Sequence, residues 1–203
     1  MKKYLLALAL CVVFTQAQDD MQGAKKWSVL LGGGAGGQAA WLKNSDTNIQ
    51  LWKNADELHG FSGGVSSRVT LGVQYENTQK DFTRYLLEAS LSSGMHIASM
   101  GDLNYQSYGA MAEYGHRFGG RFYTLAGIGL SYAQIDFDDN YKRSGVGVNV
   151  LAGLGIELTK RIDFELVARG GFFLSDDFRN IGPTNSLSMP VKLDYMAQVN
   201  FRF

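Results

Sequence analysis

Residues Val191 to Phe203, V-K-L-D-Y-M-A-Q-V-N-F-R-F, alternate with a period of two up to the last residue. Val191, Leu193, Tyr195, Ala197, Val199, Phe201 and Phe203 are apolar or aromatic. Between them stand Lys192, Asp194, Met196, Gln198, Asn200 and Arg202, of which only Met196 is apolar. A β-strand sends successive side chains to opposite faces, so this segment has one greasy face and one wet face. Such a strand belongs to a sheet whose two sides meet different surroundings, as in a soluble sandwich or in a sheet set against lipid.

The same alternation recurs upstream. Strand-like segments cover residues 27–41, 65–75, 82–95, 105–118, 121–136, 146–158 and 162–174, which with the terminal segment makes eight. Over 65–75, Val65, Val69, Leu71, Val73 and Tyr75 fall on one face, opposite Ser66, Arg68, Thr70, Gly72 and Gln74. Long polar connections are expected at 43–64, 96–104, 138–145 and 175–185. Short ones are expected at 76–81, Gly119-Gly120 and 159–161. Long connections therefore follow the odd-numbered segments and short ones the even. A sandwich has no reason to obey this rule. A membrane barrel has, because its turns are short on one side and its loops long on the other. In lipid every backbone amide and carbonyl needs a partner, and only a closed sheet supplies one to every strand. Trp27, Tyr75, Tyr85, Tyr108, Phe118, Phe122, Phe164 and Phe203 suit the interfacial girdles of such a barrel. Gly127, Gly129, Gly153 and Gly155 suit close strand approach.

Length and charge fit one domain with an exported address. The 203 residues carry no net charge, so there is no basic footprint for nucleic acid. Lys2 and Lys3, an apolar run to Phe14 and a small residue at Ala17 read as a cleaved signal peptide over residues 1–18, with a barrel domain over 26–203. The single cysteine, Cys11, lies in that signal, with Leu10 before it where a lipoprotein signal wants a smaller residue. The mature chain then has no disulfide. No later stretch has 18 consecutive apolar residues, so no transmembrane helix is expected.

The alternation, the eight segments and the ending Phe201-Arg202-Phe203 resemble the small bacterial outer-membrane barrels. This group includes the OmpA transmembrane domain, outer-membrane protein X and the opacity-like proteins. The resemblance implies an all-β fold, an eight-stranded antiparallel up-and-down transmembrane β-barrel in the bacterial outer membrane. It also implies outer-membrane lipid as solvent, and the barrel-assembly machinery as a partner that reads Tyr195, Val199, Phe201 and Phe203 in the last strand as an insertion signal.

If the apolar faces meet lipid, the other faces meet one another. That places Arg68, Arg84, Arg117, Arg169, Lys192 and Arg202 in the lumen, with Glu76, Glu88, Glu113, Glu157, Asp163, Glu165 and Asp194. Eight strands leave an interior just wide enough for side chains. The expected result is an ion-paired plug, since buried charges must be matched; a narrow or gated pore is the alternative.

The sequence offers little other chemistry. The run Gly32 to Gly37 fits almost any glycine template, and no helix follows it as a phosphate site needs. His59, His96 and His116 form no spaced metal pair. Asp136, Asp138 and Asn140 begin like a calcium loop, but Tyr141 and Gly147 stand where glycine and glutamate are required. No cofactor or metal is expected. A lipid A-modifying enzyme would need a nucleophile, a base and an acid near the outer leaflet, for which Ser92, Ser93, His59, His96 and Asp102 are the candidates. The preferred expectation is a non-enzymatic barrel with a structural or adhesion-like surface role. Its extracellular partner would meet the connection 43–64, which carries Trp52 and Leu58. Passage of small or hydrophobic solutes and service in a secretion or transfer system are the remaining alternatives.

Overall fold

The computed structural model describes residues 27–44, 64–97, 101–137, 141–174 and 187–203. The expected signal peptide at 1–18, nearly all of the connection 43–64 with His59, Trp52 and Leu58, and the connection 175–185 lie outside the described residues. So do Asp138 and Asn140.

Eight strands follow one another: β1 (Trp27–Asn44), β2 (Gly64–Glu76), β3 (Asp81–Ile97), β4 (Gly101–Gly119), β5 (Phe122–Phe137), β6 (Tyr141–Glu157), β7 (Ile162–Phe173) and β8 (Leu187–Arg202). Each pairs antiparallel with the next, and β8 pairs with β1, so the sheet is a closed up-and-down barrel. The register fixes its dimensions. A circuit of paired residues runs Ser28, Gln74, Arg84, Glu113, Gly127, Leu151, Arg169, Asp194 and back to β1 at Gln38, ten residues beyond its start. With eight strands, that stagger tilts the strands by roughly 40° and leaves an interior that side chains can fill.

Alternation decides which side chains go where. Val69, Leu87, Leu91, Ile128, Leu130, Leu154 and Leu166 point outward and are more than half exposed, as a lipid-facing surface requires. Trp27, Phe118, Phe122 and Phe203 ring the periplasmic end of that surface, and Tyr108 and Tyr132 lie towards the other end.

Two expectations about connections need correction. Residues 96–104 and 138–145 are not long loops: β3 and β4 are separated by 98–100 alone, and β5 and β6 by 138–140. The polar residues there continue the hairpins, with Met95 paired to Leu103 and Asp136 to Lys142, because a strand outside lipid tolerates polar side chains on both faces. The β4–β5 turn is also shifted by one residue. Gly119 still belongs to β4, after a register shift beyond Arg117, and the turn is Gly120-Arg121. Gly120 holds φ at 55°, the left-handed region that favours glycine.

Candidate functional site

The lumen is where this chain concentrates its chemistry. Arg68, Arg84, Glu88, Glu113, Asp163, Glu165, Arg169, Lys192 and Asp194 all point inward and are at least nine-tenths buried. Glu76, Arg117, Glu157 and Arg202 also face inward, at the periplasmic mouth, where they keep some contact with water.

The hub is Arg84. Its Nη1 lies 2.5 Å from Glu165 and 3.6 Å from Glu113, its Nη2 3.4 Å from Asp163, and its Nε donates to Gln74 at 2.8 Å. Tyr123 donates to the same Glu165 oxygen at 2.5 Å. Gln198 links this layer upward: its amide donates to Glu165 while its carbonyl accepts from Arg68. Arg68 and Arg169 then share Glu88. Near the extracellular end Lys192 reaches Asp194 at 2.9 Å, donates to Ser92 at 3.2 Å and lies 3.8 Å from the centre of the Tyr105 ring. At the opposite mouth Arg117 grips Glu76 at 2.7 Å and Glu157 at 2.9 Å, and Arg202 reaches Asp163 at 2.8 Å.

Charge is matched where water is scarce. In the buried layers Arg68, Arg84, Arg169 and Lys192, joined by Arg202 reaching in from the mouth, stand against Glu88, Glu113, Asp163, Glu165 and Asp194, five against five among the described residues. The surplus carboxylate sits with Arg117, Glu76 and Glu157, whose acid side chains are 30% and 22% exposed. Solvation there is cheap, whereas an unmatched charge in the buried layers would cost several kcal/mol, about 3–5 for a broken pair.

The sequence reading missed a second component. Leu30, Phe82, Leu86, Met111, Tyr123, Leu125, Leu151, Val167 and Met196 point inward as well and form one buried apolar cluster. Leu86 lies between Arg84 and Glu88 on the inner face of β3, Val167 between Glu165 and Arg169 on β7, and Met196 between Asp194 and Gln198 on β8. Paired across strands, Leu86 meets Met111 and Val167 meets Met196. The lumen therefore carries an apolar waist of Leu86, Met111, Leu151, Val167 and Met196 between two groups of ions, with Gln198 bridging them past it. The signal was an apolar residue at a wet-face position, and Met196 alone had shown it.

Aromatic rings lock the lower layer. Phe82 lies between the guanidinium groups of Arg84 and Arg117, each 4.8 Å from its centre, and meets Tyr123 edge-on at 5.3 Å. Its cross-strand partner is Gly115, and a Cβ there would run into the Phe82 ring; Gly155 leaves room for Tyr123 in the same way.

Of the candidate enzyme residues, Ser92 and Ser93 have described side chains, and these part to opposite faces of β3. Ser92 is buried in the lumen against Ser66 and Lys192, while Ser93 faces the other way and is exposed. The backbones of His96 and Asp102 are register partners. His116 sits at the periplasmic rim, with Nδ1 2.7 Å from Asp81. Among the described residues, no cluster of three metal-ligating side chains forms.

Comparison with known proteins agrees with this architecture. The family model described as "Outer membrane protein beta-barrel domain" matches residues 5–187. The chain belongs to that family. No curated protein sequence matches it. Among solved structures it is similar to Neisserial surface protein A at 18% identity and a TM-score of 0.59, with 90% of this chain and all of that one covered. It is similar to the attachment invasion locus protein Ail of Yersinia pestis at 12% identity and a TM-score of 0.52, covering 87% and 98%. The N-terminal barrel of OprF from Pseudomonas aeruginosa matches at 15% identity and a TM-score of 0.50, covering 87% and 97%. These likenesses concern the fold. As a member of this family the protein is an integral β-barrel of the bacterial outer membrane.

Proposed function

We propose that this protein is a sealed, non-enzymatic barrel that anchors its outward connections at the cell surface for contact with an extracellular partner. The observation that supports this reading is the filled lumen. A conducting barrel keeps a wetted path lined by polar groups. Here the buried charged side chains pair with one another, and an apolar waist bridged by Gln198 lies between the ion groups. What such a barrel presents to its surroundings is its rim and its connections, and the long connection 45–63 between β1 and β2 is the first candidate for contact. The thirteen lumen charges hold the scaffold, and Tyr195, Val199 and Phe201 of β8, with Phe203 after it, serve assembly and seating in lipid.

Two measurements test the reading together. Purified protein reconstituted in planar bilayers shows no discrete conductance steps. Cells displaying it adhere to host-cell or matrix surfaces more than cells displaying a variant lacking 45–63. Steady channel steps, or an altered lipid A profile on expression, would overturn it. Sucrose octasulfate, a heparin analogue crystallised with Ail, is a ready probe for the adhesion assay.

A further inference from the structure

The outer wall carries an apolar depression of about 650 Å³ that runs across the strands from Val29 on β1 and Leu71 and Val73 on β2 to Val148 on β6. Its floor at β4 is Ala110 and Ala112, and its banks are Tyr85 and Leu87 on one side and Ile128 and Leu130 on the other. Followed down the outer face of β4, the alanines give way to Tyr114 and then His116. Here the wall turns polar. Asp81 accepts hydrogen bonds from Tyr114 at 2.7 Å and His116 at 2.7 Å on Oδ1, and from Thr78 at 2.7 Å on Oδ2. A carboxylate has about four acceptor positions, so Oδ2 keeps one. His116 is tied through Nδ1, and Nε2 is its other ring nitrogen; its side chain is 48% exposed. Lys80 is exposed on the adjoining turn, where its carbonyl accepts from the Arg117 amide at 2.7 Å.

The short turns add positive charge to a rim that also holds Asp81, Glu76 and Glu157. The three short turns carry Lys80, Arg121, Lys160 and Arg161 and no carboxylate. Cations at a membrane surface are drawn to lipid phosphates.

The geometry points to a binding site for a zwitterionic glycerophospholipid of the periplasmic leaflet, with one acyl chain in the Ala110–Ala112 groove and its headgroup on Lys80, His116 and Asp81. Lys80 and the exposed ring of His116 suit the phosphate. The free position on Asp81 suits a primary ammonium, which donates hydrogen bonds that a trimethylated one does not. The polar cluster and the groove are independent features. Asp81 and His116 lie on β3 and β4, the strands that also carry Tyr85, Leu87, Ala110 and Ala112.

The test is native mass spectrometry of the protein purified from membranes in a non-ionic detergent. Phosphatidylethanolamine, phosphatidylcholine and phosphatidylglycerol of equal chain length are titrated in turn. Phosphatidylethanolamine is expected to be retained best. The double variant Lys80→Gln/His116→Gln should lower its apparent affinity about fivefold. Ala112→Trp, which fills the groove, should lower retention of all three. Equal retention of the three lipids, unchanged by the rim variant, would mean ordinary annular lipid and overturn the site. A preference for phosphatidylglycerol would overturn the role of Asp81. Should Ala112→Trp fail to fold, the headgroup ranking and the rim variant still decide.

Discussion

Arg84 shows what a single buried side chain contributes here. It faces Glu165, Glu113 and Asp163 with almost no access to water. Replacing it by methionine leaves those carboxylates short of a partner, at a cost of about 3–5 kcal/mol. Urea unfolding in detergent, followed by the heat-dependent gel shift of a closed barrel, reads this as a large drop in midpoint. The double variant Arg84→Met/Glu165→Leu removes charge from both sides, and it is expected to recover most of the loss. An equal or greater loss would mean that Arg84 acts through packing on Phe82 rather than through charge. The Phe82–Gly115 fit makes a second residue-scale claim. Gly115→Ala forces a methyl group into the ring and should cost about 1–3 kcal/mol. In a Phe82→Leu background the same change should cost less, and a double-mutant cycle in the same assay measures the coupling.

At the scale of the element, β1 behaves unlike its neighbours. Its middle is Gly32, Gly33, Gly34, Ala35, Gly36 and Gly37. The inward glycines are crowded: a Cβ on Gly36 would strike the backbone of Tyr195 and Met196, and one on Gly32 the side chains of Asn200 and Thr70. Gly37, one residue on and facing out, has open space. Gly36→Ala is therefore expected to destabilise the β1–β8 seam, because backbone does not move aside as a flexible side chain does. Gly37→Ala should be neutral or stabilise by about 0.5–1 kcal/mol, since it removes glycine's entropic cost in a strand. Equal effects in urea unfolding would refute the close approach at the seam. This pair also marks what the sequence could say. The period of two gave strand number, order and facing, because lipid enforces the outward half of the pattern. It could not separate Gly36 from Gly37, which depends on how near the neighbouring backbone comes. Nor did it place Leu86, Leu151 or Val167, since the inward half of the pattern obeys packing and not solvent. Polar residues at 101–104 and 141–145 read as loop because nothing in their composition distinguishes a hairpin above the membrane from a connection.

At the scale of the molecule, register and layering together determine what would open the barrel. A stagger of ten over eight strands leaves a lumen about one layer of side chains in radius, so each layer can close it alone. Ion pairs form one kind of closure; a salt bridge that breaks leaves charged walls that water can wet. The waist is another kind. Leu86, Met111, Leu151, Val167 and Met196 offer water no hydrogen bond, and such constrictions close by dewetting. Neutralising the upper ion layer, with Arg68→Ser, Glu88→Ser and Arg169→Ser together, should therefore leave planar-bilayer recordings silent. Conductance steps should emerge only when Leu86→Ser and Met111→Ser are added to that variant. Steps from the ion-layer variant alone would show that charge pairing, and not the apolar waist, seals the lumen, and the barrel would then be a gated pore held shut by its salt bridges.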